Sequence, residues 1–186
     1  MLQFNFDPFP IINTGRLLLR AINMADTKEI FALRSDEEVL KYLDRPAAKS
    51  MEDAVEFIQK NIDQLQANEG ISWAITLKEM TELIGIIGYW KIDREHHRSE
   101  IGYMLFPAHQ QKGLMQEAIT AVLQYGFETM HLHTVEANVN PDNEASKKLL
   151  LKNNFVQEAY FKENYYFEGK FLDSAIFSLL AAKSHI

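Results

Sequence analysis

Length, composition and charge restrict the kinds of protein that this chain can be. It has 186 residues, of which 47% are hydrophobic and 24% charged, so we expect one folded domain spanning residues 1–186. No apolar run approaches the roughly 20 residues that a membrane helix needs. The net charge of −7 argues against a nucleic-acid partner and fits a cationic partner such as an amine.

Cysteine is absent from the sequence. Disulfide bonds, thiolate metal ligands and a cysteine nucleophile are therefore excluded, and the composition fits a reducing cytoplasm. The first residues lack a basic segment and include Pro8 and Pro10, so no signal peptide is predicted. We expect a cytoplasmic protein that has no membrane partner.

The N-terminal part of the chain is predicted to form one strand and several helices. A turn signal precedes a short apolar run at Arg16–Arg20, which predicts the first strand. Asp26 and Glu29 have the spacing of a capping box, which predicts the start of a helix that ends near Asp36. Glu37–Leu43 is predicted to add a short helical turn.

A longer helix and an antiparallel meander are predicted next. Ser50 and Asp53 form a second capping-box pattern, and the residues after them keep the apolar spacing of one buried helix face. From Ile71 the apolar period changes to two, so Ile71–Leu77 and Leu83–Ile92 are predicted to form a hairpin. A turn then leads into the fourth predicted strand, which completes the meander.

The stretch from Arg98 to Met130 contains the strongest functional signal. The fourth predicted strand ends at Pro107, residues 108–112 form a polar turn, and a helix follows Gly113. A helix that begins on a glycine directs unpaired backbone N–H groups, and the positive end of its dipole, toward the preceding loop. This arrangement predicts an anion site, although the loop taken alone also fits an ordinary helix start with a chance glycine.

The remaining elements are predicted to complete the sheet. Thr134–Val139 follows a helical crossover, so this fifth strand should lie parallel to the fourth. A helix is predicted at Asn143–Asn153, with Asn154 in a left-handed conformation just past its end. A closing hairpin is predicted around the turn Asn164–Lys170 and ends at Leu180.

This order of elements and four short motifs resemble the GNAT superfamily of acyl-CoA-dependent N-acetyltransferases, in particular its RimJ/RimL-like branch. The motifs are TGRLLLR from Thr14, SEIGYMLFP from Ser99, QQKGLM from Gln110, and NEAS from Asn143 followed by Asn154 and Phe155. The resemblance implies an α/β (α+β) fold with a mixed, mostly antiparallel sheet of about six to seven strands and about four helices. It also implies that the fourth and fifth strands are parallel and splayed.

The resemblance implies acetyl-CoA as a cosubstrate and no metal. The residues implied to hold the pyrophosphate are Gln110, Gln111, Lys112, Gly113, Leu114 and Met115. Those implied to contact the rest of the cofactor are Met104, Leu105, Asn138, Asn143 and Ser146. Two departures stand out, since Met115 replaces the Gly or Ala that the family prefers and Gln110-Gln111 replaces the usual Trp-Gly of the branch.

Transfer of an acetyl group from a thioester to an amine needs a base for the amine and a proton for the departing thiolate. Ser146 is the candidate for the thiolate, and Glu100 is the candidate base, with Glu136 on the fifth strand as its competitor. Leu150 stands where many members of the family have a proton-donating Tyr, so that role must fall elsewhere. The alternative interpretation is structural: Asn143 and Ser146 would form a helix cap, and the carboxylates would be surface groups.

Histidine and aromatic residues give weaker signals. His131 and His133 would share a face of an extended segment, but two ligands make a weak metal site, and His96 and His97 lie in a predicted turn. We interpret all four as structural or surface residues. Several aromatic residues are predicted to lie in the core or to line an acceptor groove: Trp73, Trp90, Tyr165, Tyr166 and Phe167.

The resemblance therefore implies an N-acetyltransferase for a primary amine, with the N-terminus of a protein, such as a ribosomal protein, as the acceptor. Members of the branch also act on polyamines, amino acids or antibiotics, so a small amine is an alternative acceptor. A non-catalytic acyl-CoA-binding module is a second alternative. The sequence is compatible with a monomer or a homodimer and predicts no nucleic-acid partner.

Overall fold

The computed structural model describes residues 1–182, and these residues form one mixed sheet with helices on both faces. The eight strands of this part of the chain are β1 (Ile12–Asn13), β2 (Leu17–Ala21), β3 (Ile71–Leu77), β4 (Leu83–Asp93), β5 (Arg98–Leu105), β6 (Thr134–Val139), β7 (Val156–Phe167) and β8 (Lys170–Leu180). Its five α-helices are α1 (Thr27–Ser35), α2 (Glu37–Leu40), α3 (Met51–Gln66), α4 (Leu114–Glu128) and α5 (Glu144–Lys152). The strand order is β1-β2-β3-β4-β5-β6-β8-β7.

The predicted sheet type is confirmed, because every pair of neighbouring strands is antiparallel except β5 and β6. The first predicted strand is β2 of the structure. It has an additional neighbour, β1, which contributes only Ile12 and Asn13, paired with Leu19 and Leu18. A two-residue strand is too short to show a period of two, so the sequence pattern did not predict it.

One of the two predicted capping boxes is wrong and the other is confirmed. Asp26 makes no side-chain capping bond to α1. Its carboxylate instead completes a capping box with Asn23 around a short 3₁₀ turn and forms an ion pair with Arg20, with 2.6 Å between the charged atoms. Ser50 and Asp53 cap α3 as predicted. The first error arose because Asn23 gives an equally good cap three residues earlier.

The closing hairpin is longer than predicted. The region from Asn164 was expected to be a turn, but β7 continues through Phe167 and the chain reverses at Glu168 and Gly169, both with positive φ. The polar residues that resembled a turn lie at a break in strand register between Phe161 and Tyr165. A β-bulge and a turn favour similar residues, which explains the error.

The central strands are buried on both faces, because side chains of a strand alternate between them. On β4, Ile87 and Tyr89 contribute to the core beneath α4 and α5, whereas Ile86 contributes to the core beneath α1 and α3. On β5, Ile101 belongs to the first of these cores and Met104 to the second. Any opening beside β5 therefore connects the two faces of the sheet.

Strands β5 and β6 separate after a short parallel contact. They pair only through Arg98–Glu100 and Thr134–Glu136. Strand β5 continues to Leu105, while β6 continues to Val139 and is held on its other side by β8. The splay that the resemblance implied is present. It leaves backbone N–H and C=O groups along the inner edges of β5 and β6 available to an extended ligand.

Candidate active site

An open cleft lies at the separation of β5 and β6 and has a volume of about 990 Å³. Strands β4, β5 and β6, the first turn of α5, helix α3 and the loop between α2 and α3 supply its walls. Several predicted site residues line it, namely Glu100, Met104, Asn138, Asn143 and Ser146. The splayed strands thus bring together residues that are far apart in sequence.

A pair of hydroxyl groups lies inside the cleft. The Tyr103 Oη and Ser146 Oγ atoms are 2.7 Å apart, and either group can donate the hydrogen bond. The first turn of α5 holds Ser146, since the Asn143 side chain accepts a hydrogen bond of 3.0 Å from the Ser146 backbone N–H. Asn143 therefore caps the helix, as its structural interpretation predicted, while it also lines the cleft.

Tyr103 is suited to donate a proton. Burial raises the pKa of its hydroxyl to about 12, although the hydrogen bond with Ser146 opposes the rise. Because this pKa lies well above neutral pH, the hydroxyl is protonated there. Leu150, at the position where the resemblance implies a Tyr in many members, is fully buried in the core and has no group that can donate.

The prediction from sequence did not include Tyr103. Tyr103 lies three residues after Glu100 on β5, so its side chain points to the opposite face of the sheet. The alternation along β5 could have indicated which way the Tyr103 side chain points. It could not indicate the contact with Ser146, which lies 43 positions away in the sequence. This contact depends on where the first turn of α5 meets the opening between the strands, and local sequence does not specify this.

The two candidate bases lie in different environments. The Glu100 carboxylate lines the cleft, is 14% exposed and accepts a 2.8 Å hydrogen bond from the Lys91 ammonium group. The Glu136 carboxylate is 35% exposed and lies 3.5 Å from Arg98. Glu136 is not among the residues that line the cleft in the described part of the chain. The geometry therefore favours Glu100 over Glu136.

The predicted anion loop has the backbone expected of it. Gly113 is the N-cap of α4, has a left-handed φ of 73° and makes no side-chain capping bond. The first-turn N–H groups of α4 are therefore available to an anion. The side chains of Leu114 and Met115 are buried in the core. Met115 consequently does not crowd the loop, despite its difference from the family pattern.

The other loop residues divide between structure and surface. The Gln110 side chain donates a 3.0 Å hydrogen bond to the Leu105 carbonyl and thereby fixes the end of β5. Gln111 has a positive φ of 58°, and both Gln111 and Lys112 are exposed. Lys112 can thus add positive charge at the mouth of the loop.

A polar brace that was not predicted ties this loop to β2. The Glu117 carboxylate, in the first turn of α4, accepts hydrogen bonds from the Thr14 hydroxyl (2.6 Å), the Arg16 backbone N–H (2.7 Å) and the Arg16 Nε (2.7 Å). The same guanidinium group donates a 2.9 Å bond from Nη1 to the Lys112 carbonyl. The TGR sequence therefore supports the anion loop, and its guanidinium stands beside Gly113.

Replacing Glu117 with Gln is expected to loosen the brace. Burial acts to raise the pKa of Glu117, but the bonds from Thr14 and Arg16 outweigh it and the pKa is lowered. The carboxylate therefore stabilises the fold above its ordinary pKa of 4.5, and this contribution is lost as pH falls through the lower folded-state value. We expect Glu117→Gln to lower the melting temperature at pH 7 by about 4–8 °C, equivalent to roughly 2 kcal/mol.

Thermal unfolding of both proteins at several pH values measures this effect. The difference in melting temperature should shrink under acidic conditions, because the wild-type carboxylate is then protonated. Glu128→Gln is the matched control, since Glu128 ends the same helix and its carboxylate accepts an exposed hydrogen bond of 3.0 Å from Gln124. Equal melting temperatures for the two variants at pH 7 would contradict the brace.

The four histidines considered as metal ligands do not line the cleft. His131 and His133 are exposed, and the positive φ of 56° at His131 shows that this segment is not extended. His96 and His97 lie in the turn between β4 and β5. Within residues 1–182, no three His, Cys, Asp or Glu side chains are grouped so that they could hold a metal ion.

The aromatic residues occupy three different places. Trp73 is buried in the core, where its indole N–H donates a 2.7 Å bond to the Pro10 carbonyl. Trp90 lines the cleft. The Tyr165 hydroxyl donates to the carboxylate of Asp44, which connects β7 to the loop at the rim of the cleft. Two further rings, Tyr166 and Phe171, pack against each other on the hairpin.

No helix in the described part of the chain is long and apolar enough to cross a membrane.

The sequence matches known acetyltransferases over most of its length. The family model described as an acetyltransferase (GNAT) domain matches residues 16–156. The uncharacterized N-acetyltransferase YoaA of Bacillus subtilis is 38% identical over 172 residues, which cover 92% of this chain and 97% of that protein. A spermidine N(1)-acetyltransferase of Vibrio cholerae is 25% identical and covers 91% of this chain and 95% of its own length.

A second type of relative acts on a ribosomal protein according to its name. This is the [ribosomal protein uS5]-alanine N-acetyltransferase of Escherichia coli, which is 34% identical over 53% of this chain and 51% of its own length. Among solved structures, a GNAT-family acetyltransferase from Bacillus anthracis superimposes with a TM-score of 0.81. It is 29% identical, and the match covers 92% of this chain and 98% of that one. This chain therefore belongs to the GNAT acetyltransferase family and is an N-acetyltransferase.

Proposed function

We propose that this enzyme transfers the acetyl group of acetyl-CoA to the α-amine of a protein N-terminus. The observation that carries the proposal is the hydroxyl pair of Tyr103 and Ser146, which lies in the opening between β5 and β6 and is separated by 2.7 Å. The ribosomal-protein relative supports a peptide acceptor. The size of the cleft, about 990 Å³, also supports an acceptor that enters as an extended chain.

The residues of the loop fit the phosphates of acetyl-CoA. Gly113 leaves the start of α4 open, and a Cβ atom at this position would lie 3.5 Å from the Arg16 guanidinium. We infer that the first-turn N–H groups of α4, together with Arg16 and Lys112, hold the pyrophosphate. The free edges of β5 and β6, with Asn138 and Asn143 beside them, would hold the extended arm of the cofactor.

Acetyl-CoA, when bound, supplies an acetyl thioester that an amine can attack. The amine must first lose its proton, and Glu100 accepts it directly or through a water molecule. Attack of the neutral amine on the acetyl carbon leaves a positively charged nitrogen, and the C–S bond then breaks. The surplus proton on this nitrogen passes through water to the Tyr103 oxygen as Tyr103 protonates the departing sulfur. The Tyr103 hydroxyl donates its proton to the sulfur, and Ser146 holds that hydroxyl in place.

The absence of cysteine favours direct transfer. No thiol is available to carry the acetyl group on the enzyme, so we expect both substrates to be bound together. Initial-rate plots should therefore give intersecting lines. Parallel lines, or an acetylated enzyme formed without acceptor, would contradict direct transfer.

The function is tested with acetyl-CoA and a panel of amines that includes N-terminal peptides and spermidine. We expect peptide products acetylated on the α-amine, detected by mass spectrometry. Glu100→Gln should reduce the rate at pH 7 by about 10²-fold, and the loss should become smaller above pH 8, where an α-amine is neutral without help. Glu136→Gln is the matched control. A preference for spermidine over every peptide would overturn the peptide assignment.

A further inference from the structure

Two arginine side chains face the acceptor side of the cleft without an ion-pair partner. Arg34 lies in the last turn of α1, Arg45 lies in the loop between α2 and α3, and both line the cleft. The ion pairs found among residues 1–182 involve neither of them. Cationic side chains at a partly buried position normally have an anionic partner, so this pair requires an explanation.

The guanidinium of Arg34 uses little of its hydrogen-bonding capacity. Its Nε atom is buried and has no hydrogen-bond partner. Within residues 1–182 its one side-chain hydrogen bond is long, 3.4 Å from Nη1 to the Asp53 carbonyl, and its Cζ atom lies 4.6 Å from the centre of the Phe57 ring. A guanidinium group has five N–H donors, and the Nη2 donors of Arg34 make no hydrogen bond within residues 1–182, so they remain for a ligand.

Arg45 lies near Arg34 and also lacks a direct partner. Its Cζ atom is 5.8 Å from the centre of the Trp90 ring, which is itself part of the cleft wall. Burial lowers the pKa of Arg34 and of Arg45, and the charge of Arg45 lowers the pKa of Arg34 further. The two positive charges therefore destabilise each other, and an anion between them would relieve this repulsion.

Three of the four carboxylates that line the cleft already have partners, and the fourth, Glu56, is exposed on α3. The Asp44 carboxylate accepts a hydrogen bond from the Tyr165 hydroxyl, and the Glu100 carboxylate accepts one from the Lys91 ammonium group. Asp53 accepts the backbone N–H groups of residues 49 and 50, at 2.6 and 3.2 Å. Asp44 and Glu100 do act on Arg45 through their charge, but neither lies within ion-pair distance. None of these four carboxylates forms an ion pair with Arg34 or Arg45.

We propose that Arg34 and Arg45 form a carboxylate-binding site, and that the acceptor is an amine with a carboxylate close to it. A carboxylate matches the planar fork of a guanidinium group and can accept two hydrogen bonds from it. The proposal rests on the proposed function, because it places the amine at Glu100 and the carboxylate beside the two arginines. An acidic side chain next to a protein N-terminus has this chemistry, and so does a free amino acid.

Matched peptides test the site directly. Calorimetry in the presence of CoA compares Ala-Glu-Ala amide with Ala-Gln-Ala amide, which differ by one charge, and adds free glutamate and spermidine. We expect the acidic peptide to bind about 10- to 100-fold more tightly than the neutral one. Tighter binding of free glutamate than of the acidic peptide would identify a small amino acid as the source of the carboxylate.

The variants Arg45→Gln and Arg34→Gln should each bring the ratio of the two peptide affinities close to one. Lys28→Gln, which removes an exposed cation of α1 outside the cleft, should keep the wild-type ratio. Melting temperatures show whether each variant is folded, and Arg45→Gln decides the matter if Arg34→Gln is unstable. Equal binding of the two peptides by the wild type, or tighter binding of spermidine, would overturn the site.

The binding experiment and the activity experiment test different proposals. Because the peptide affinities are measured without turnover, a charge preference supports the carboxylate site even when no acetylated product forms. Failure to acetylate any amine would then count against the proposed function alone.

Discussion

Replacement of Gly113 by Glu is expected to weaken acetyl-CoA binding by at least about 100-fold. Gly113 stands at the start of α4, where backbone N–H groups point into the loop and no side-chain cap competes for them. A glutamate there places a negative charge next to the pyrophosphate and strains a residue whose φ is 73°. Both effects act on the loop, and the charge acts directly on the bound ligand.

Calorimetry with acetyl-CoA measures the loss, and a second glycine separates charge from strain. Gly169 also has a positive φ, 83°, but lies in the turn of the β7–β8 hairpin. Gly169→Glu should lower the melting temperature without changing the affinity for acetyl-CoA. Gly113→Asn is a milder variant, because Asn tolerates the left-handed region and adds no charge. Wild-type affinity in folded Gly113→Glu protein would remove the loop from the cofactor site.

Several elements were predictable because their signals are local. The bounds of β3 and β6 agree with the prediction, since each is a short run rich in apolar and β-branched residues. Asn154 has the expected left-handed φ of 64° after α5. The anion loop was predicted for the same reason, because its function depends on a glycine, a turn and a helix start that are adjacent in sequence.

The parts of the site that were missed depend on distant contacts. Glu117 and Arg16 are 101 positions apart, and Tyr103 and Ser146 are 43 positions apart. Neither pair forms a pattern that can be read along the chain. The unpaired state of Arg34 is also a tertiary property, because it depends on which carboxylates have found other partners. Side-chain chemistry was thus visible in the sequence, whereas the pairing of side chains was not.

Replacement of Tyr103 by Phe is expected to lower kcat by about 10²-fold or more, with little change in the affinity for acetyl-CoA. The variant keeps the ring, so its packing against the core is retained, and removes only the hydroxyl that contacts Ser146. The hydrogen bond from the Tyr103 hydroxyl to the sulfur matters most as negative charge develops on the sulfur. Its loss should therefore affect the chemical step more than ground-state binding.

Comparison with Ser146→Ala shows which of the two hydroxyl groups donates the proton to the thiolate. If Tyr103 is the donor and Ser146 only positions it, Tyr103→Phe should cost more in kcat than Ser146→Ala, and Tyr166→Phe, on the exposed hairpin, should cost nothing. Because the pKa of Tyr103 is raised to about 12, its hydroxyl is protonated at lower pH, so the wild-type rate should show no fall from its deprotonation between pH 7 and 10. Wild-type kcat in Tyr103→Phe, or a larger loss in Ser146→Ala, would move the donor role away from Tyr103.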